Sequence, residues 1–150
     1  MATLQAELIP GTEKMLHELG QRGYRLAIVS NGPVGSIPNV LGPYGLLDLF
    51  EVCAISQGLG IEKPDPRIFH YALDHLGISP EDAGRAVMAG NDLAADVAGA
   101  NNVGMISVWL TWSPRRRKTQ NGESEVLHHV IAEPADLVPL IEILDSEGMK

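Results

Sequence analysis

Short apolar runs that alternate with helical patterns are the feature that most constrains the fold of this chain. Glycine and proline separate the runs, and each run is too short to be an independent helix. Strands separated by helices require right-handed crossovers, and therefore a parallel sheet covered on both faces. The sequence thus predicts a three-layer, Rossmann-like α/β fold with a mostly parallel sheet. The predicted strands are 24–30, 49–55, 86–89 and 105–111, and the clearest helical patterns are 66–76, 93–101 and 134–144.

Composition limits the classes of partner. With 150 residues, 45% of them hydrophobic and 20% charged, the chain is predicted to form one ordinary domain, residues 1–150. Its net charge of -8 opposes association with nucleic acid or with an anionic membrane surface. The single cysteine, Cys53, excludes an internal disulfide. The first residues lack the pattern of a secretion signal, and no apolar run is long enough to span a bilayer. These features predict a cytoplasmic protein.

Polar groups that suit a phosphate follow two of the predicted strands. Ligands of open α/β sheets bind beyond the carboxyl ends of the strands. Ser30 offers a hydroxyl there, and the backbone amides of Asn31 and Gly32 can point at an anionic oxygen, although a plain polar turn is the alternative. Lys63 precedes a proline, which keeps its backbone extended and lets its ammonium reach back over the sheet edge. The alternative for Lys63 is a solvated loop charge.

Two carboxylates begin the helix that follows the third predicted strand. Asp92 and Asp96 are four residues apart, so one helical turn can bring both near a hard cation such as Mg²⁺, which prefers oxygen ligands. The alternative is that Asp92 caps the helix and Asp96 complements its positive N-terminal end. The residues by themselves leave both interpretations open.

Three segments, in this order, resemble the motifs of the haloacid dehalogenase superfamily. Residues 8–31 resemble the second motif with its lead-in helix, residues 62–69 the third, and residues 87–105 the fourth. The resemblance runs from about Leu8 to the C-terminus. It is closest to the phosphatase-type, subfamily I-like members, in which a cap domain is inserted after the first strand.

The resemblance implies a Mg²⁺-dependent hydrolase that removes phosphate from a small phosphorylated metabolite. In that family Ser30 would bind a phosphoryl oxygen, and Lys63 would neutralise the nucleophile and the transferring phosphate. Asp92 and Asp96 would hold Mg²⁺. Members commonly place an aspartate directly after the glycine of the fourth motif, where Asn91 stands here, so the first metal ligand is either Asn91 or Asp92.

The family's first motif has no counterpart in this sequence. That motif is an Asp-x-Asp at the end of the first strand, in which one aspartate attacks phosphorus and the other serves as general acid and base. The ten residues before Gly11 contain no aspartate. The resemblance therefore implies a core domain truncated at its N-terminus, without the cap, that is inactive by itself. The alternative is a non-catalytic binding or assembly module that retains the same fold.

The same omission affects the predicted sheet. In the family, the first strand lies between the strands that here end at Ser30 and Gly90. Without it those two strands would present inner edges, and unpaired edges recruit partners. We expect that the two strands close up on each other, or that residues 3–8 or a second molecule take the position between them. The sequence thus predicts a homo-oligomer, or a partner that completes the sheet.

Overall fold

The computed structural model describes residues 11–31, 41–111 and 128–147. Within these ranges the strands are β1 (Leu26–Ser30), β2 (Phe50–Ile55), β3 (Val87–Gly90), β4 (Ile106–Leu110) and β5 (His129–Ile131). The α-helices are α1 (Thr12–Gln21), α2 (Ser56–Leu59), α3 (Pro66–His75), α4 (Gly99–Asn102) and α5 (Leu137–Ser146). A π-helix (Leu93–Ala98) runs directly into α4, and 3-10 turns occupy Gly42–Tyr44, Leu47–Leu49, Pro80–Arg85 and Pro134–Asp136.

Every described strand pair is parallel. β1 pairs with β2 in one ladder, and β3, β4 and β5 form a second ladder in that order. The four strands expected from the sequence are all present, and the parallel α/β fold is confirmed. β5 was not predicted, because a three-residue strand is too short for its alternation of apolar and polar residues to stand out.

Helices α3 and α4 cover one face of the strands. Phe69 of α3 and Ala100 of α4 are both 0% exposed and belong to one apolar cluster. Val29 of β1 and Met88 of β3 pack against that same cluster. Because residues from both ladders contact one helical layer, this layer joins the two ladders.

Helices α1 and α5 cover the opposite face. Leu19 of α1 and Ile141 of α5 belong to a second buried cluster, which Leu26 of β1 and Val87 of β3 also contact. Neighbouring side chains of a strand point to opposite faces, so the alternation of Leu26 with Ala27, and of Val87 with Met88, places both strands in the same middle layer. The result is a three-layer arrangement with β1 and β3 at its centre.

Neither of these two central strands contains a fully buried residue, whereas β2, β4 and β5 each contain at least one, although Glu51 and Cys53 of β2 are exposed. All residues of β1 are half-buried, and Ala89 in β3 is exposed, whereas Ala54 of β2 and Val108 of β4 are 0% exposed. Central strands of a doubly covered sheet are ordinarily buried on both sides. No ladder connects β1 with β3 in the part of the chain that the structure describes, so the two strands have not closed up into one sheet.

The short helix α2 ends where Gly60 takes a φ of 72°. One local expectation was wrong. The helix predicted at 93–101 begins as a π-helix rather than an α-helix. Among the described residues, no helix has the length and apolar character needed to cross a membrane.

Candidate functional site

The end of β1 holds the backbone of Lys63. The side-chain amide of Asn31 donates to the Lys63 carbonyl at 3.1 Å, and the Lys63 backbone N–H donates to Asn31 Oδ1 at 2.7 Å. This pair of hydrogen bonds replaces the backbone partner that Lys63 would otherwise need in a loop. Strand β1 therefore determines where the loop between α2 and α3 places Lys63. The side chain of Asn31 was not predicted to do this.

The start of α3 holds the other side of that loop. Asp65 accepts from the Arg67 backbone N–H at 2.9 Å and so caps the helix, with Pro66 at its first position. The Arg67 guanidinium also donates to this carboxylate, and these hydrogen bonds hold the pKa of Asp65 below its usual range. Lys63 thus lies between two anchored points of the chain.

Lys63 forms an ion pair with Asp96, which lies on the π-helix after β3. The ammonium donates to Asp96 Oδ1, and the side chains of the lysine and the aspartate are only 10% and 7% exposed. The second oxygen of Asp96 accepts from the Asp92 backbone N–H at 3.0 Å. Burial makes this pair important, because either charge without its partner would be desolvated and uncompensated.

Asp92 caps the π-helix. Its Oδ1 accepts from the backbone N–H groups of Ala94 and Ala95 at 3.0 and 2.9 Å. Its own carbonyl accepts from both Asp96 and Val97, at 2.8 and 3.2 Å, which is how the wider turn of the π-helix begins. Asp92 therefore makes the helix-capping contact that was one of the two interpretations of this residue.

Gly90 and Trp109 determine the shape of this turn. A Cβ on Gly90 would lie 2.5 Å from Asp96 Cβ and closer still to the carboxylate, so only glycine lets Asp96 sit over the end of β3. Trp109 pairs in register with Gly90 and donates from its indole N–H to the Asn91 carbonyl at 3.3 Å. Sequence reasoning missed both roles. The role of Trp109 follows from the register of β3 with β4, which the structure supplies and the sequence does not.

The donors of this site suit a hard cation. Asp92 and Asp96 supply carboxylate oxygens from one turn of chain, and Mg²⁺ is ordinarily held by one or two carboxylates, with water and substrate phosphate as the remaining ligands. Within residues 11–31, 41–111 and 128–147, no group of three or more His, Cys, Asp or Glu side chains is arranged to hold a metal. The residues present fit Mg²⁺ in chemical type, and Lys63 already occupies one oxygen of Asp96.

Most of the predicted site residues lie at the same edge of the fold. Asn31, Lys63, Asp96 and Asp92 form one connected series of hydrogen bonds. Ser30 is the half-buried last residue of β1, directly before Asn31. Asn91 lies between Gly90 and Asp92, and its carbonyl rather than its side chain makes the contact described above. Gly32 lies outside the described residues.

Comparison with known proteins identifies the family. The model of the haloacid dehalogenase-like hydrolases matches residues 1–104. The chain belongs to this family. The chain is also 35% identical over 141 residues to the glyceraldehyde 3-phosphate phosphatase of Pyrococcus furiosus, an alignment that covers 93% of this chain and 55% of the relative.

Two further proteins extend the comparison. The phosphoserine phosphatase of Thermus thermophilus is 39% identical over 103 residues, which cover 69% of this chain and 40% of that protein. The crystal structure of a haloacid dehalogenase-superfamily (HAD) phosphatase from Thermococcus onnurineus aligns with a TM-score of 0.75 and 34% identity over 89% of this chain and 58% of that one. The chain therefore spans about half the length of the relatives that it matches.

Proposed function

We propose that this chain is the phosphate- and metal-binding core of a Mg²⁺-dependent phosphomonoesterase that acts on a small phosphorylated metabolite. Ser30, Asn31 and Gly32 bind the phosphoryl oxygens, and Lys63 offsets their negative charge. Asp92 and Asp96 hold Mg²⁺, with Asn91 as the other candidate ligand. The cation would neutralise charge on the transferring phosphoryl group.

The observation that carries this proposal is the connected series from Asn31 through Lys63 and Asp96 to Asp92. It joins the carboxyl ends of β1 and β3, which belong to different ladders. The Lys63 ammonium and the end of β1, for which we propose anion binding, thus lie beside two carboxylates at one edge of the fold. This is the combination of charges that phosphoryl transfer requires, because catalysis there is mainly positioning and charge stabilisation.

The names of the relatives support the substrate class. One matched relative is a glyceraldehyde 3-phosphate phosphatase and another a phosphoserine phosphatase. Both names describe phosphate monoesters of small metabolites. Since this chain spans about half of each relative, the substrate class is transferred here as part of the proposal.

The proposed reaction needs a nucleophile that residues 1–150 do not supply at the expected place. A carboxylate oxygen attacks phosphorus, the ester P–O bond breaks, and the leaving oxygen takes a proton from a second carboxyl group. Water then cleaves the acyl phosphate and releases phosphate. Lys63, and a cation held by Asp92 and Asp96, would stabilise charge but cannot replace the attacking atom, so we propose that this chain alone has no turnover and that a further polypeptide segment provides the carboxylate.

The test is phosphate release from p-nitrophenyl phosphate in the presence of Mg²⁺. The chain is assayed alone and with a synthetic peptide in which an apolar strand ends in Asp-x-Asp. We expect turnover only with the peptide, and a loss of about 10²-fold or more in Lys63→Ala. Lys14→Ala, which removes an 83%-exposed lysine of α1, is the matched control and should change nothing.

The second candidate function is a non-catalytic binding or assembly module. It is favoured by one observation: Asp92 caps the π-helix and Asp96 pairs with Lys63, so both acids have structural partners without any metal. Peptide binding is measured in the same sample by fluorescence anisotropy. Bound peptide without turnover would favour the module over the enzyme, whereas turnover that Lys63→Ala leaves intact would contradict the role proposed for Lys63.

A further inference from the structure

The peptide group between Asn91 and Asp92 is held at both of its polar ends. Its carbonyl, on Asn91, accepts from the Trp109 indole N–H at 3.3 Å. Its N–H, on Asp92, donates to Asp96 Oδ2 at 3.0 Å. Since a trans peptide group is planar and its C=O and N–H point in opposite directions, fixing the carbonyl also fixes the direction of the N–H. The indole of β4 is thus connected to a carboxylate of the π-helix through one rigid unit.

The ring of Trp109 supports the same turn from a second direction. Trp109, Leu93 and Val97 are buried together in one small apolar cluster. Leu93 directly follows Asp92, and Val97 directly follows Asp96, so each acid is the chain neighbour of a residue in this cluster. Close packing of the cluster resists a rotation of the π-helix that would turn the two carboxylates away from their present directions.

Strand β4 places the indole where both contacts are possible. Trp109 pairs in register with Gly90, so it lies beside the end of β3. Successive side chains of a strand point to opposite faces, and Val108 accordingly belongs to the cluster formed with α1 and α5. Trp109 therefore faces the π-helix, and Val108 is an adjacent buried position that faces away from it.

We propose that Trp109 is a positioning residue for the candidate cation site. Its indole N–H, acting through the Asn91–Asp92 peptide group, fixes Oδ2 of Asp96 and so directs Oδ1, the oxygen that accepts from Lys63. The indole also polarises the peptide group, which strengthens the hydrogen bond from the Asp92 N–H to Asp96. This inference rests on the proposed function, in which Asp92 and Asp96 hold Mg²⁺.

The first measurement needs no metal. Trp109→Phe keeps a ring against Leu93 and Val97 but removes the N–H. We expect the amide hydrogen exchange of Asp92, followed by NMR, to become faster by about tenfold, because the peptide group loses the partner that orients it. The exchange of Ala72, in α3, is measured in the same sample and corrects for a change in global stability.

Val108→Ala is the matched control. It removes buried apolar contact from the same strand, on the opposite face, and so lowers stability without touching the turn. The exchange of Asp92, relative to that of Ala72, should be the same in Val108→Ala as in the unaltered chain.

The second measurement is the dissociation constant of Mg²⁺, from a titration followed by the amide signals of Asp92 and Asp96 at constant ionic strength. Groups that orient the ligands of a metal commonly change its affinity by about 10–100-fold when removed. We therefore expect Trp109→Phe to raise the dissociation constant by about tenfold or more, and Val108→Ala to leave it unchanged.

The indole N–H signal of Trp109 gives a readout on the unaltered chain. It should shift as Mg²⁺ saturates the site, and Asp96→Asn should abolish the shift. The chain has two tryptophans, so Trp112→Phe identifies which of the two indole signals belongs to Trp109. This measurement tests the proposal even if Trp109→Phe does not fold.

Three results would overturn the inference. An unchanged Mg²⁺ affinity in Trp109→Phe, whatever the exchange of Asp92, would mean that the indole does not position the site. Equal effects of Trp109→Phe and Val108→Ala would mean that Trp109 contributes only to the core. Bound Mg²⁺ that leaves the indole signal unmoved would exclude the connection through the peptide group. An unaltered chain that binds no Mg²⁺ would instead contradict the proposed function, and the exchange of Asp92 would then decide alone whether Trp109 positions Asp96.

Discussion

At the scale of single residues, the Lys63–Asp96 pair is the contact on which the site depends most. With side chains 10% and 7% exposed, neither charge can be rehydrated easily when its partner is removed. We expect Lys63→Met or Asp96→Leu each to lower the free energy of unfolding by about 3–5 kcal/mol. Urea unfolding followed by circular dichroism measures the change.

The double variant separates the pair from its surroundings. Replacing both residues at once removes the uncompensated charge, so the combination should cost clearly less than the sum of the single changes. Arg25→Met with Glu51→Leu is the control, since that ion pair is about half exposed and should show little coupling. Additive losses at Lys63 and Asp96 would mean that the buried pair does not form in solution.

Gly90 is the second residue on which the site depends. Gly90→Ala puts a methyl group 2.5 Å from Asp96 Cβ, so Asp96 has to leave Lys63. We expect a loss of about 1–3 kcal/mol in the free energy of unfolding, the usual cost of overpacking. Gly20→Ala is the control. Gly20 lies in α1, and its added Cβ would meet no atom nearer than the Leu49 side chain at 3.8 Å, so the substitution should be neutral or stabilising. Equal effects of both substitutions would contradict the close contact.

The sequence predicted which residues form this site better than it predicted their contacts. Asp65 as a helix cap, and Asp92 and Asp96 at the start of a helix, follow from local rules about residue type and spacing. The hydrogen bonds from Asn31 to Lys63, and from Trp109 to Asn91, join residues far apart in the chain. They depend on how the ladders pack, and one sequence holds no local signal for that.

At the scale of elements, the contact between α3 and α4 is unusually close. A Cβ on Gly99 would lie 2.6 Å from Cε2 of Phe69, which is itself 0% exposed. We expect Gly99→Ala to cost about 1–3 kcal/mol by overpacking, and Phe69→Leu to recover part of that loss by making room. Thermal unfolding of the single and double variants measures the rescue. If Phe69→Leu only adds to the loss, the two helices are not in close contact at this point.

The cap of α3 gives a pH dependence. The hydrogen bonds from Arg67 hold the pKa of Asp65 below the ordinary aspartate value of 3.8, so this stabilisation is complete above that value and is lost as the pH falls through the lower, folded pKa. Urea midpoints measured down to about pH 2.5 should therefore fall less in Asp65→Asn than in the wild type. Asp74→Asn, an exposed position of the same helix, should follow the wild type. Identical pH profiles for all three proteins would contradict the assignment.

Elements with a strong periodic pattern were predicted well, and those set by tertiary packing were not. Helix α3 has an apolar stripe, a cap and a proline at its first position, so local signals agree. The π-helix arises because Asp96 lies over Gly90 and pairs with Lys63, which no helical period predicts. Strand β5 gains its place from pairing with β4 rather than from its own three residues.

At the scale of the whole molecule, the two ladders are joined by the helical layers and by the connected series of hydrogen bonds from Asn31 to Asp92. A ligand that binds this series in the folded chain, and does not bind the unfolded chain, stabilises the entire fold. At a Mg²⁺ concentration 100 times its dissociation constant, the gain should be about 2.7 kcal/mol. For a chain of this size that corresponds to a rise of roughly 5–10 °C in Tm. Thermal unfolding with Mg²⁺, against NaCl of equal ionic strength, measures it.

The variants make the Mg²⁺ prediction specific to the site. Asp96→Asn should abolish the rise in Tm, and Asp82→Asn, an exposed acid of a 3-10 turn, should keep it. Lys63→Met should lower Tm without Mg²⁺ but enlarge the rise that Mg²⁺ produces, because the lysine ammonium and the cation compete for the carboxylate of Asp96. Equal rises in all four proteins would indicate general screening of the net charge of -8 rather than binding between Asp92 and Asp96.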